Sequence, residues 1–197
     1  MGLSCSVDLR QKLGFTEKPK ETHKKVYLCN DEGVEVSASS MRGLPDARPV
    51  LSPECHEIVL RSWDIIKRDI ERVGVVMFMG LLEDEAVKDQ FVNFREKSPE
   101  ELKASAVLRS HVLKVMSAVE KVIARLDDPP KLNKLLHDLG QRHMLYNARP
   151  EFLDLVGPQF NNAIQPALGD SWTVETEQAW ADLFKYITHV MKETMVM

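Results

Sequence analysis

The chain has 197 residues, of which 44% are hydrophobic and 28% charged, and its net charge is −4 at pH 7. This length and composition predict one domain of about 150 residues with a full core plus an extension, and the acidic balance argues against a nucleic-acid partner. We expect neither a membrane span nor a signal peptide, and the three cysteines favour neither a zinc site nor a disulfide framework, although a Cys29–Cys55 bridge stays open.

Residues 1–50 differ from the rest of the chain. They lack sustained periodicity, residues 35–45 are linker-like, and residues 8–25 carry six basic side chains against three acidic ones, which predicts a flexible, basic extension. The first six residues, MGLSCS, match the N-myristoylation pattern M-G-x-x-x-[ST] at Gly2, although so short a pattern also matches by chance. One myristoyl chain holds a membrane only marginally, and a palmitoyl group on Cys5 would supply the second signal.

The globular domain is predicted to cover residues 51–197. Ser52-Pro53-Glu54 has the composition of a helix start, and apolar residues recur after it with a helical period. Val73 to Leu82 is apolar almost all round, so we expect that helix to be buried on most sides. Ser98-Pro99-Glu100-Glu101 is a capping box and predicts the start of the next helix.

Four further apolar stripes complete the predicted fold. The first includes His111 and ends at Asp127–Pro130, and the second carries four leucines and His143. In the third, Pro158 should bend the helix or end its first turns, and Thr173 should cap the last helix. No segment alternates with period two, so we predict an all-α fold of six to eight helices.

Two of the six histidines, His111 and His143, lie on the apolar faces of successive predicted helices. A single inward histidine is usually a core residue that bonds a backbone carbonyl, but two on neighbouring helices favour a pair of ligands. A zinc site needs further ligands, and none stands at useful spacing, whereas haem needs one axial histidine and accepts a second. Three other histidines fall off the apolar stripes and should be solvated: His56, His137 and His189.

A series of residues along the chain carries a family resemblance: Trp63, Phe78, Phe91, His111-Val112-Leu113-Lys114-Val115-Met116, Leu139-Gly140-Gln141-Arg142-His143, Phe152 and Trp180. With these residues in this order, residues 52–195 resemble the globin superfamily and, within it, neuroglobin and globin X. The 32 positions between the two histidines suit the distal and proximal residues of a globin. The ordered set of Phe91, His111 and His143 is the most specific element.

The resemblance implies a globin fold with haem b, bound through its iron, as the cofactor. His143 would be the proximal iron ligand, His111 the distal histidine, and Phe91 the ring that stacks on the porphyrin. The resemblance implies further binding residues. Phe78 and Val115 would lie on the distal side of the haem, and Leu139 and Phe152 on the proximal side. Lys114 would lie at the rim, beside a haem propionate. The apolar residues could equally be core residues, and the lysine could equally be solvated.

The resemblance also indicates a function. His111 can donate a hydrogen bond to a bound ligand or bind the iron itself, which would give a six-coordinate haem. We expect reversible binding of O2, NO or CO in a redox, electron-transfer or sensing role with an unidentified reductase, rather than bulk oxygen transport. The alternatives are a globin-type nitrite reductase or NO-consuming enzyme, and a haem-free helical adaptor. Because globin X proteins resemble acylated globins, we expect acyl chains on Gly2 and Cys5 to hold the protein on the cytoplasmic face of a membrane. The plasma membrane is the first expectation for that membrane. Without acylation, we expect the protein in the cytoplasm.

Overall fold

The computed structural model describes residues 48–195, which belong to one compact unit. This part of the chain is helical and contains no strand, so the prediction of an all-α fold with six to eight helices is confirmed. Its α-helices are α1 (Pro53–Ile66), α2 (Ile70–Leu81), α3 (Glu85–Lys88), α4 (Pro99–Ala104), α5 (Ala106–Ile123), α6 (Pro129–Leu145), α7 (Val156–Leu168) and α8 (Val174–Lys192). The predicted acylation residues Gly2 and Cys5, the basic segment and the linker lie outside the described residues.

Short-range caps start several helices as the sequence predicts. The side chains of Ser52 and Thr173 each accept a hydrogen bond from the amide three residues on, at 3.1 and 3.2 Å. Ser98 accepts from the Glu101 amide at 3.2 Å, and the Glu101 carboxylate accepts from the Ser98 amide at 2.8 Å. Pro158 lies in the first turn of α7, directly after the 3-10 turns that cover Pro150–Leu155.

The capping box at Ser98 starts a helix as predicted, but that helix is not the one that carries His111. The capping box begins only the short α4, and Ser105 then adopts an extended conformation with φ −72° and ψ 116°. The Ser105 side chain accepts a hydrogen bond from the Leu108 amide at 3.3 Å, so the helix that carries His111 has its own N-cap. A serine fits a helix interior and a cap alike, and the apolar pattern runs through this junction without interruption.

The two helices that carry the inward histidines are held by different partners. α5 packs on α2 and α1, and a side chain at Gly74 of α2 would overlap that of Val112, so the two backbones are close. α6 instead packs on α8, and α5 and α6 make few contacts with each other. α2 is buried as predicted against α5 and α7, except on the side of Val76, which is 47% exposed. The sides of α5 and α6 that carry His111 and His143 are therefore not filled by contacts between these two helices.

An aromatic cluster joins α1, α7 and α8 on the other side of the domain. Trp180 is fully buried, and its ring centroid lies 4.8 Å from Phe160 and 6.2 Å from Trp63. Its indole Nε1 donates to Ser62 Oγ at 2.9 Å, so the buried polar group is satisfied. This cluster gives α8 a fixed position against which α6 is placed.

None of the helices in residues 48–195 is both long and apolar enough to cross a bilayer.

Candidate functional site

His143 lies in the last turn of α6, half-buried. Its Nδ1 is 2.8 Å from the carbonyl oxygen of Leu139, one turn earlier. Because a carbonyl can only accept, Nδ1 is the donor, and in the neutral ring Nε2 is the nitrogen that keeps a lone pair. The hydrogen bond thus fixes both the tautomer and the orientation of the ring, which is how proteins commonly present a histidine to a metal.

Helix α6 ends at Leu145, two residues after His143. The Ala148 amide donates to the His143 carbonyl at 3.0 Å, and the Asn147 amide donates to the Met144 carbonyl at 2.9 Å, which together form a Schellman motif. Asn147 takes the left-handed conformation that this motif requires, with φ 55°. The chain therefore turns back immediately beyond His143, and Phe152 follows in the returning segment.

His111 lies against two aromatic rings. Its ring centroid is 5.0 Å from that of Phe78 at an interplanar angle of 89°, and 5.7 Å from that of Phe91 at 77°, so both contacts are edge-to-face. Phe91 in turn stacks on Phe94 at 5.5 Å and 27°. Phe78 and Phe94 are buried, whereas His111 and Phe91 are half-buried. The imidazole of α5 is therefore held from two directions, and one edge of the cluster stays accessible.

The pKa of His111 lies below its ordinary value. Burial is the main cause, and positive charge on His143 and on Lys114 adds to it. The ring is therefore neutral at neutral pH, which is the state in which an imidazole binds a metal.

The structure also places the remaining predicted site residues. Val115, Leu139 and Phe152 are half-buried and pack against the core, so their outer surfaces are left for another apolar group to cover. Lys114 is exposed, as a rim residue or a solvated lysine would be. Two half-buried apolar residues that flank His143, Met144 and Ala148, were not identified from the sequence because they fall outside the leucine stripe.

The donor set fits haem better than a bare metal ion. Among residues 48–195 no group of three or more His, Cys, Asp or Glu side chains could hold a metal ion. Haem iron is already bound by four porphyrin nitrogens, so one or two axial imidazoles are sufficient. Two imidazoles match that requirement: His143, whose Nδ1 is bonded to Leu139 and whose Nε2 is left free, and the neutral His111 between aromatic rings.

The prediction was that the other three histidines of the described range are solvated. They are only partly exposed, and each of them faces a carboxylate. His56 Nδ1 lies 3.3 Å from Asp127 Oδ1, His137 Nε2 lies 2.8 Å from Glu193 Oε2, and His189 Nε2 lies 3.7 Å from Glu193 Oε1. Their side chains are 19%, 37% and 28% exposed. Helical periodicity predicts which face a residue occupies, but not which side chain another helix brings to it.

Comparison with known proteins decides the family. The family model for Globin matches residues 77–191, which is more than half of the chain. The chain belongs to the globin family. Neuroglobin from Dissostichus mawsoni is 27% identical to it over 145 residues, covering 73% of this chain and 91% of that protein. Cytoglobin-2 from Oryzias latipes is 26% identical over 142 residues, covering 71% of this chain and 79% of that protein.

A solved structure shows the same fold. The crystal structure of a hexacoordinated haem protein from an anhydrobiotic tardigrade at pH 4 matches with a TM-score of 0.70 and 21% identity, covering 77% of this globin and 99% of that chain. The predictions of the globin superfamily and of its fold are therefore confirmed. As a globin, this protein takes haem iron as its cofactor, as predicted, and its ligand class is small diatomic molecules such as O2. The alternative of a haem-free adaptor is disfavoured.

Proposed function

We propose that this globin binds haem between His143 and His111 in a six-coordinate, bis-histidine site, and that it acts in redox, electron-transfer or sensing chemistry with O2, NO or CO. One observation carries the proposal. His111 on α5 is a neutral imidazole between two aromatic rings, and His143 on α6 directs Nε2 away from the hydrogen bond of its Nδ1 with Leu139. Haem iron supplies reversible ligand binding and one-electron redox change at that position.

The side chains have separable tasks in this proposal. His143 would hold the iron permanently, because its hydrogen bond to Leu139 both orients the ring and raises the basicity of Nε2. His111 would be the exchangeable ligand, which would give way to an external diatomic molecule. Phe78 and Phe91 restrict how far the His111 ring can turn, so they influence how readily it leaves. An unidentified reductase is the proposed source of electrons.

The visible spectrum of the ferrous protein tests the coordination. We expect sharp, split low-spin bands from the unmutated protein, which should collapse in His111→Leu, and loss of the Soret band in His143→Ala. His56→Leu is the matched control, because His56 also lies within reach of a partner side chain but belongs to no part of the site, and its spectrum should be unchanged. A five-coordinate ferrous spectrum from the unmutated protein would contradict the bis-histidine assignment.

We further propose that acylation of Gly2 and Cys5 tethers the protein to the cytoplasmic face of a membrane, the plasma membrane first. The support is the N-terminal pattern MGLSCS and the basic residues that follow it. Each buried CH2 contributes about 0.8 kcal/mol, so one chain gives reversible binding and two give stable binding.

Cell fractionation of the full chain tests the tether. We expect Gly2→Ala to release the protein to the soluble fraction and Cys5→Ser to leave a weaker, exchangeable association, with the haem spectrum unchanged in both variants. An unmutated protein found entirely in the soluble fraction would rule out the anchor and leave the haem assignment intact.

A further inference from the structure

α6 is attached to α8 along one of its faces, formed by Asn133, His137 and Gly140. These positions are four and three residues apart and therefore adjacent on the helix surface. The Tyr186 hydroxyl donates to Asn133 Oδ1 at 2.6 Å. At Gly140, an added Cβ would lie 3.1 Å from the carbonyl carbon of Met191, so the two backbones are in direct contact. The position of α6 is therefore set by α8.

Glu193, which follows the last residue of α8, brings together side chains from three parts of the chain. Its Oε2 lies 2.9 Å from Arg48 Nη2 and 2.8 Å from His137 Nε2, and its Oε1 lies 3.7 Å from His189 Nε2. The hydrogen bond with His137 is the main cause that lowers the pKa of Glu193, and Arg48 adds to it, so the group is a carboxylate at neutral pH. One carboxylate thus links α6, α8 and the segment that precedes α1.

His137 is held by its backbone as well as by its ring. Thr194 Oγ1, next to Glu193, donates to the His137 carbonyl oxygen at 3.2 Å. His137 precedes His143 by six positions on the same helix, and the ring of His143 is fixed to α6 by its hydrogen bond with Leu139. A displacement of α6 on α8 therefore moves the imidazole of His143 with it.

We propose that Glu193 is a positioning residue for the haem site, which fixes α6, and through it His143, by binding His137 and Arg48 at the same carboxylate. The inference rests on the proposed axial role of His143. Without the carboxylate, α6 keeps its backbone contact at Gly140 and the hydrogen bonds of Tyr186 and Thr194, but it loses the tie at the His137 ring. Haem is then held less firmly, and His111 is more easily displaced.

The rate of haem transfer from the full-length, haem-loaded protein to excess apomyoglobin tests the proposal. We expect Glu193→Ala to transfer haem about fivefold faster, which is the upper end of what a part-exposed ion pair contributes. Glu193→Gln, which keeps the shape and one acceptor oxygen, should lie between. The matched control is Asp64→Asn. The pKa of Asp64 is also lowered by a neighbouring cation, Lys67, but both residues lie at the end of α1, so this pair joins no two helices. It should change the rate less than twofold.

A double-mutant cycle separates positioning from general destabilisation. If Glu193 acts through His137, the double variant Glu193→Ala/His137→Ala should lose haem no faster than Glu193→Ala alone. Multiplied effects, or a lowered melting temperature with unchanged haem transfer and spectrum, would overturn the proposal. Full haem retention in His143→Ala would instead overturn the axial assignment, so the two failures are distinguishable.

Discussion

Gly140→Ala tests the close packing of α6 on α8. Glycine in a helix interior is less favourable than alanine by about 1 kcal/mol, so without a tertiary contact this substitution would stabilise the protein. The structure reverses the expected sign. The new methyl group would fall on the carbonyl oxygen of Met191 and on Thr194 Oγ1, and a backbone carbonyl inside α8 cannot rotate away. α6 must shift instead.

The magnitude follows from these two opposing effects. Forcing a methylene into a packed contact costs about 1–3 kcal/mol, and the gain in helix propensity returns about 1 kcal/mol of it. Because the Met191 carbonyl cannot move, we expect a cost in the upper part of this range, about 2–3 kcal/mol, and therefore a net loss of about 1–2 kcal/mol in the free energy of unfolding. For a domain of this size, that corresponds to a melting temperature lower by about 2–8 °C. Because α6 carries His143, haem transfer should be faster as well.

Thermal unfolding of the haem-loaded and haem-free proteins measures the effect. Gly80→Ala is the matched control, because its Cβ would meet only the amide end of Gln159, a flexible side chain that can move. Gly80→Ala should be neutral or stabilising. If Gly140→Ala is as stable as the unmutated protein, α6 and α8 are not in the contact described here, and the proposed fixation of His143 loses its physical basis.

Further expectations concern a thiol, a turn, a cap and a carboxylate. Burial, with Asp182 adding to it, raises the pKa of Cys55 to about 11. In a variant whose other two cysteines are replaced by serine, this thiol should therefore resist a thiol reagent at pH 8 until the protein unfolds. Labelling at the rate of the unfolded chain would refute this. Asn147→Ala should lower the free energy of urea unfolding by about 1–2 kcal/mol and Asn147→Gly should not, because φ is 55°. Ser105→Ala should cost about 1 kcal/mol by the same measurement, through loss of the α5 cap. The lowered pKa of Glu193 adds stability that is present above its unfolded-state pKa and is lost as the pH falls through its folded-state pKa, so Glu193→Gln and the unmutated protein should converge in stability in acid.

Features that depend on neighbours in the sequence were predictable. The caps at Ser52, Ser98 and Thr173 need only an oxygen and an amide three residues apart, and all three are present. The inward faces of His111 and His143 followed from helical period alone. Ser105 was missed because its residue type fits either a cap or a helix interior.

Features that depend on how helices meet were not predictable from one sequence. The carboxylate of Glu193 binds His137 and Arg48, which lie 56 and 145 positions away in the chain, and no local pattern connects them. The contact of Phe78 with the His111 ring likewise depends on the approach of α2 to α5. The family resemblance placed both residues at the site but said nothing of the 89° angle between their rings.

The separate attachment of α5 and α6 makes the cofactor part of the folding equilibrium. Few protein contacts cross between these helices, so a group bound by both His111 and His143 cross-links them. A ligand present at a thousand times its dissociation constant stabilises the folded state by about 4 kcal/mol, which is a large share of the stability of an ordinary domain. In haem-free protein, amide hydrogens of the last turn of α6 would exchange well before those around Trp180. Haem supply would then set the lifetime of this protein in the cell as well as its activity.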